Sequence, residues 1–372
     1  MKKVAVLFGG KSCEREISIL TGVFVFNLID RTKYLPLPVY FHSDGGAYTS
    51  PEMVDVDCFK DCDVGKFSRV LFDEGTLYKI CDKRKKLKSL GKIDAAINCC
   101  HGGWGEGGGM SALMELNGIP FASPALAPSG VFLDKTLAKT VVKGLNIPTL
   151  DGMRVSESDY ARRGKFLLKN IGARLGYPVV IKPARLGSSI GISLAKTEDE
   201  AKTALKTAFA LDDKVLIEKY LEDKSDVNCA AYLRGGEIVV SEPEIAASGE
   251  GVYSFSDKYL KESGLLSGKQ GQGRGLDDET AQKIKAYTKT LYRKTDLFGV
   301  VRVDYLVRGK EVYLSEVNTV PGSLAYYLFC ERLTDARAFF SDLIEEALAA
   351  KTQEKLLPET GILTTVRRGR KK

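Results

Sequence analysis

The chain has 372 residues and a formal net charge of +7, with 44% hydrophobic and 28% charged residues, a globular composition with room for two or three domains. No apolar run is long enough to span a bilayer, so no membrane partner is expected. Eight scattered cysteines and two histidines, His42 and His101, make no zinc pattern, and a reducing cytoplasm is the expected setting. Part of the positive charge lies in the tail, Arg367 to Lys372. That tail lacks interleaved aromatics, so no nucleic-acid partner is expected, and substrates with several negative charges explain the basic balance.

The first domain is expected over residues 1–123. Lys3 to Phe8 reads as a buried strand, followed by a Gly-rich loop from Gly9 to Ser18 and a helix from about Ile17 to Asp30. Ser12 and Ser18 are candidate helix caps. Strand, glycine turn and helix open an α/β domain, whose ligands gather at the C-terminal ends of strands. Glu14 stands in that turn, as a ligand-binding acid or as an acid favoured by the helix dipole. Arg69 to Phe72 and Leu77 to Ile80 read as short strands. Ile93 to Cys100 is another buried strand, running into a loop that holds His101 and Glu106, and then a helix over Ser111 to Leu116. Gly103 to Gly108 fits GxGxxG between strand and helix, which admits a dinucleotide-binding enzyme on a pattern that is weak alone. His101 is a pocket residue or a satisfied loop histidine.

The central domain is expected over residues 124–222. Pro124, Pro128 and Gly130 mark a linker, and a helix follows from about Phe132 to Gly144 with Asp134 and Lys135 near its start. A lysine there opposes the helix dipole unless an anion is close, the alternative being a solvated surface lysine. Tyr177 to Pro183 is a buried strand ending in Lys182. The small-residue loop Ala184 to Gly191 would let backbone N–H groups approach phosphate oxygens, and it is not a Walker A loop. Glu198 to Leu211 is an amphipathic helix. Val215 to Leu221 is a strand ending in charge, able to offer backbone hydrogen bonds to a purine.

The last domain is expected over residues 223–372. Asp226 to Leu233 and Glu237 to Ser241 form a hairpin. Residues 246–275, rich in Gly, Ser and charge, read as a lid that closes on substrate. A helix covers Asp277 to Asp296, and another Asp335 to Ala349. Between them Val300 to Val307 and Glu311 to Val317 make a β-hairpin around Arg308 to Lys310. Strand alternation puts Arg302 and Asp304 on one face, and Glu316 and Asn318 on one face. Two carboxylates and an amide in so apolar a hairpin are costly unless neutralised. Oxygen ligands suit Mg²⁺, and Arg302 suits a phosphate or an oxyanion.

Taken together the blocks resemble the ATP-grasp ligases, specifically the D-alanine–D-alanine ligase family, over nearly the whole chain. The carrying residues are Phe8 to Ser18, His101-Gly-x-x-Gly-Glu106, Ile181 to Gly191, Glu218 to Leu221, Asp257 to Tyr259, Arg302-Val303-Asp304, and Leu314 to Gly322. The resemblance implies a three-domain α/β ATP-grasp fold with an α/β N-terminal domain. The implied reaction is ATP-dependent joining of two D-alanines through an acyl phosphate, for peptidoglycan precursor synthesis. Asp304, Glu316 and Asn318 would hold two Mg²⁺ ions, with Mn²⁺ a possible substitute. Lys135 and Lys182 would contact the ATP phosphates and Lys258 on the lid the γ-phosphate. Glu218, Lys219 and Leu221 would frame adenine, and Asp226 would take the ribose-binding acid's place. Arg302 and the Gly322 N–H would stabilise the oxyanion. Glu14, linked through Ser188 to Tyr259, would bind the first substrate's ammonium, and His101 and Glu106 would line its pocket. Tyr259 favours an amine acceptor over D-lactate. A homodimer is also implied.

Three positions depart from the family's pattern. Gly107 stands where an acid is usual, Tyr305 replaces an aliphatic residue, and Tyr327, before Leu328, replaces the serine that binds the acceptor's carboxylate. Tyr326 and Tyr327 raise a rival reading, the same chemistry with D-serine or another small amino acid as acceptor. A catalytically silent ATP-binding regulator is a third class, opposed by the intact Arg302, Asp304, Glu316 and Asn318.

Overall fold

A computed structural model describes residues 1–61, 63–81, 86–246 and 275–350. Lys258, Tyr259, most of the expected lid and the basic tail lie outside these residues. Three sheets organise the rest.

The first sheet has eight strands: β1 Lys2–Gly9, β2 Tyr34–Phe41, β3 Ala47–Thr49, β4 Ser68–Asp73, β5 Thr76–Cys81, β6 Lys86–Lys92, β7 Ala95–Asn98 and β8 Phe121–Ala122. Their order is β6-β5-β4-β3-β2-β1-β7-β8. β2, β1, β7 and β8 run parallel, and the remainder is an antiparallel extension. Val4 to Phe8 are wholly buried, as a parallel central strand covered on both faces must be. Helix α1, Arg15–Leu28, follows β1. Neither candidate serine caps it. Ser12 Oγ accepts from the Glu14 N–H at 3.0 Å and donates to the His101 carbonyl at 2.7 Å. Ser18 Oγ accepts from the Gly9 N–H at 2.7 Å and donates to the Cys99 carbonyl at 2.6 Å. Both hydroxyls tie the β1 turn to the end of β7, where buried backbone groups need partners. Helix α2, Met110–Leu116, precedes β8.

The expected linker and helix over 124–144 form two helices, α3 Leu126–Leu133 and α4 Lys135–Gly144. Pro128 falls in the first turn of α3, where a missing N–H costs nothing. The break comes at Asp134, whose carboxylate accepts from the Thr136 and Leu137 N–H groups and starts α4.

The second sheet holds β9 Gly152–Ser156, β10 Val179–Pro183, β11 Ser193–Ala195 and β12 Lys214–Lys219, in antiparallel order β11-β10-β12-β9. Helices α5 Glu157–Leu175 and α6 Glu198–Phe209 pack against it, with Leu168, Ile171, Leu205 and Ile181 in one core. Neither β9 nor α5 was anticipated, although Ser156 three residues before Asp159 is a capping signal, and Ser156 Oγ does accept from the Asp159 N–H.

The third sheet comprises β13 Ser225–Arg234, β14 Glu237–Val240, β15 Glu244–Ile245, β16 Val301–Arg308 and β17 Glu311–Asn318, with β13 central to β14, β15 and β16. Helices α7 Asp278–Lys294 and α8 Ala336–Ala349 complete the described chain. β13 shows how alternation divides the cores. Val227, Cys229 and Ala231 join a cluster with Ile284 and Leu291 of α7. Ala230 and Tyr232 join one with Phe339 and Phe340 of α8 and Phe8 of β1. No helix among the described residues is long and apolar enough to cross a membrane.

Candidate active site

The β16–β17 pairing places Arg302 opposite Asn318 and Asp304 opposite Glu316, with a bulge directly after Asp304. A bulge re-aims side chains beside it, and here four polar groups share one face. The Arg302 guanidinium grips Asp304 at 2.7 and 2.9 Å, and Asn318 Nδ2 donates to the same carboxylate at 3.0 Å. Arg302 Nη1 also donates to the Tyr327 hydroxyl at 3.3 Å. Burial opposes the arginine's charge, but Asp304 and Tyr327 hold it protonated well beyond its ordinary range.

Lys135 reaches this face from the start of α4. Its Nζ lies 2.8 Å from Glu316 and donates to the Leu186 carbonyl at 2.7 Å. Only 7% of the residue is exposed. Burial alone would lower its pKa, yet the carboxylates of Glu316, Glu14 and Glu106 raise it. The anion demanded by a lysine at a helix start is thus Glu316.

The loop between β10 and β11 closes over α1. Ser188, in the left-handed region at φ 53°, donates to Glu14. The Glu14 carboxylate lies in a cradle of missing side chains. A Cβ at Gly187 or at Gly102 would stand 2.7 Å from its Oε2. Arg185, at the start of the loop, is held by its backbone N–H and guanidinium to Asp212.

Lys182 at the end of β10 lies 2.6 Å from one oxygen of Glu218, and Lys139 lies 2.6 Å from the other. Glu218 is 3% exposed. Burial pushes its pKa up, but the two ammonium groups prevail and hold it low. Burial lowers Lys139 in spite of Glu218. Lys139 was missed in the sequence, where its four-residue spacing from Lys135 on one helix face was the available signal. Further along β12, the Lys219 side chain is exposed and Leu221 is buried. Asp226 at the start of β13 pairs with Lys224.

His101 and Glu106 hold the segment after β17. His101 Nδ1 lies 2.7 Å from the Val320 carbonyl, and Nε2 lies 2.8 Å from Thr21 Oγ1. A carbonyl only accepts, so Nδ1 carries the proton and Nε2 accepts from Thr21. Burial lowers the His101 pKa to about 4. Glu106 accepts from the Gly102 N–H at 2.8 Å and lies 3.4 Å from the Val320 N–H. Burial and the neighbouring Glu14 charge raise its pKa to about 7. Gly322 opens the short helical segment Gly322–Leu328, in which the Leu328 side chain is buried in the core.

The glycines of the GxGxxG stretch serve packing. Residues Gly105–Gly109 form a π-helical turn pressed on α3, and a Cβ at Gly108 would stand 2.8 Å from the Leu126 carbonyl oxygen. That close approach accounts for the motif without a dinucleotide.

The family model described as the D-ala D-ala ligase N-terminus matches residues 3–124, and that of the D-ala D-ala ligase C-terminus matches residues 141–349. The chain belongs to the D-alanine–D-alanine ligase family. A D-alanine–D-alanine ligase of Thermosipho melanesiensis is 32% identical over 333 residues, covering 88% of this chain and 89% of the relative. One from Caldicellulosiruptor bescii is 32% identical over 360 residues, covering 93% and 94%. The crystal structure of the Helicobacter pylori D-alanine–D-alanine ligase superposes with a TM-score of 0.75 at 26% identity, covering 96% of this chain and all of that one. The VanG D-Ala:D-Ser ligase of Enterococcus faecalis shares the fold, with a TM-score of 0.74 at 24% identity over 94% and 99% of the two chains. Family membership makes the chain an ATP-dependent, ADP-forming ligase of mixed α/β ATP-grasp fold that uses ATP and a divalent metal.

The family's departures have local explanations. A Cβ at Gly107 would meet Leu133 Cδ2 at 2.7 Å, so an acid there requires the end of that leucine side chain to shift. The Tyr305 hydroxyl, wholly buried, pairs with Thr288 Oγ1 at 2.9 Å. Tyr327 presents its hydroxyl to Arg302. For the metal, no three His, Cys, Asp or Glu side chains gather among the described residues. The hairpin face instead assembles two carboxylates and an amide, an all-oxygen set suited to a hard cation, already matched here by the charges of Arg302 and Lys135.

Proposed function

We propose that this D-alanine–D-alanine ligase family member joins two D-alanines into D-alanyl-D-alanine for peptidoglycan precursor synthesis. ATP passes its γ-phosphoryl group to the first D-alanine's carboxylate, giving an acyl phosphate and ADP. The second D-alanine's amine, having lost a proton, attacks the acyl carbon, and phosphate leaves. The observation that carries the reading is the convergence of Lys135 and the Arg302, Asp304, Glu316 and Asn318 face beside the Glu14–Ser188 contact.

In this reading Glu14 takes the first substrate's ammonium, and Ser188 orients the carboxylate. Lys135 and Lys182 hold phosphate oxygens, and Lys258 covers the γ-phosphate. Glu218, Lys219 and Leu221 frame adenine, and Asp226 takes the ribose. Asp304, Glu316 and Asn318 would hold two Mg²⁺ ions, for which Mn²⁺ could substitute, and these would supply charge neutralisation at the transferred group. Arg302 and Lys135 balance those acids, and the same two cations would serve the substrate oxyanion and the phosphates. Arg302 and the Gly322 N–H stabilise the developing oxyanion. His101 and Glu106 support the pocket wall, and Tyr259 belongs to the Glu14–Ser188 relay. Leu328, its side chain buried, acts through its backbone. We divide the chain into substrate-binding (1–123), central (124–222) and C-terminal (223–372) domains, and infer a cytoplasmic homodimer.

The Tyr327–Arg302 contact favours a second reading in which the acceptor is D-serine or another small amino acid. Phosphate release from Mg-ATP, followed by mass spectrometry of products, separates the two. D-alanine-dependent release with an Ala-Ala product is expected, and Asp304→Asn should abolish it. Release with no Ala-Ala product would make the acceptor reading wrong. No stimulation by D-alanine would overturn the ligase reading.

A further inference from the structure

Thr21 lies on the buried face of α1 and is fully buried. Its hydroxyl accepts from the Ser323 N–H at 3.2 Å and faces His101 Nε2 at 2.8 Å. Since Nδ1 of that ring donates to the Val320 carbonyl, one Thr21–His101 unit grips the turn at both Val320 and Ser323. Between them lies Gly322.

The gripped turn is not one the backbone adopts readily. Ser323, Leu324 and Ala325 stand in succession at φ 50°, 52° and 50°. Non-glycine residues are disfavoured in the left-handed region, so three together relax unless other contacts hold them. The Leu324 N–H donates to the Pro321 carbonyl at 2.8 Å within the turn, and Tyr326 packs on Phe24 of α1. The hydroxyl of Thr21 adds the polar hold, anchored in a different domain from the turn itself.

We infer that Thr21 is a positioning residue. Through Ser323 and the fixed tautomer of His101, it aims the Gly322 N–H at the place where the oxyanion develops. The inference rests on the proposed role of Gly322. An N–H that matters in the transition state should cost turnover more than ground-state affinity when it is misaimed.

The test compares Thr21→Val, which keeps the shape and removes the hydroxyl, with Thr21→Ser, which keeps the hydroxyl. We expect Thr21→Val to lower kcat for dipeptide formation about 10- to 100-fold, within the range that small misplacements produce, with KM for ATP within twofold. Thr21→Ser should restore at least half the wild-type kcat. Hydrogen exchange over a peptide spanning residues 319–329 should quicken in Thr21→Val and not in Thr21→Ser. If Thr21→Val does not fold, Thr21→Cys, a weaker donor of similar size, should fall between wild type and loss. A hydroxyl-free variant within twofold of wild-type kcat, or one with unchanged exchange, overturns the inference while leaving the ligase reading intact. A wild type that forms no dipeptide overturns that reading instead, and the exchange comparison then decides the Thr21 relay alone.

Discussion

Protonation of His101 is a perturbation whose size follows from its surroundings. Its imidazole is buried between Thr21 and the Val320 carbonyl, and it titrates near 4 instead of its ordinary 6.5. That displacement corresponds to roughly 3 kcal/mol of preference for the neutral ring in the folded chain. Because the folded value lies below the unfolded one, the unfolded chain binds the proton first. The stabilisation is fully present above about pH 6.5 and is lost as pH falls toward 4. Glu106 runs the other way. Its value rises from 4.5 to about 7, so its contribution is complete below about 4.5 and is lost as pH rises through 7. Between pH 4.5 and 6.5 the two oppose each other, and bulk denaturation alone would register little. The assay is therefore the imidazole Cε1–H signal in a proton–carbon correlation spectrum followed against pH. The chain has two histidines, and a His42→Gln variant assigns the pair. The His101 signal should hold its neutral position to about pH 5. A midpoint at or above 6 would mean that the ring is not held neutral by burial. In Glu106→Gln, where the opposing acid is gone, the urea midpoint should fall visibly between pH 6.5 and 4.5.

Other substitutions test the remaining contacts. Tyr305→Phe removes the phenol from the buried Thr288 hydroxyl and should cost about 1 kcal/mol in chemical denaturation, and adding Thr288→Val should recover part of it. Full additivity of the two would contradict a direct contact. Glu218→Gln leaves Lys139 and Lys182 without their shared counter-charge and should destabilise the ligand-free protein by about 3 kcal/mol. A loss below about 1 kcal/mol would mean that the two lysines find other partners. Gly187→Ala drives a methyl group into the Glu14 carboxylate. The KM for the first D-alanine should rise about tenfold or more, by the 1.4 kcal/mol that a lost charged contact readily exceeds, with the ATP KM unchanged. An equal rise in both would place Glu14 elsewhere in the reaction.

Much of this fold is legible along the chain. The apolar run of Val4 to Phe8, the alternating β16–β17 hairpin and the amphipathic α6 are local patterns, and the structure contains each as an element. Local pattern also put Arg302 with Asp304, and Glu316 with Asn318, because strand alternation is set by neighbours along the chain. The single helix expected over 132–144 is two helices because Asp134 breaks it by capping, a choice between two local conformations that packing decides. Ser12 and Ser18 differ from the expected caps for another reason: the carbonyls to which their hydroxyls donate lie 89 and 81 residues away. Which charges meet follows from how the sheets and helices dock. Lys135 meets Glu316, and Glu218 takes both Lys139 and Lys182. Thr21, on the face of α1 turned inward, reaches Ser323 across 302 residues. Contacts of that separation leave no periodicity in sequence, because they depend on how sheets and helices dock and not on the conformation of either segment.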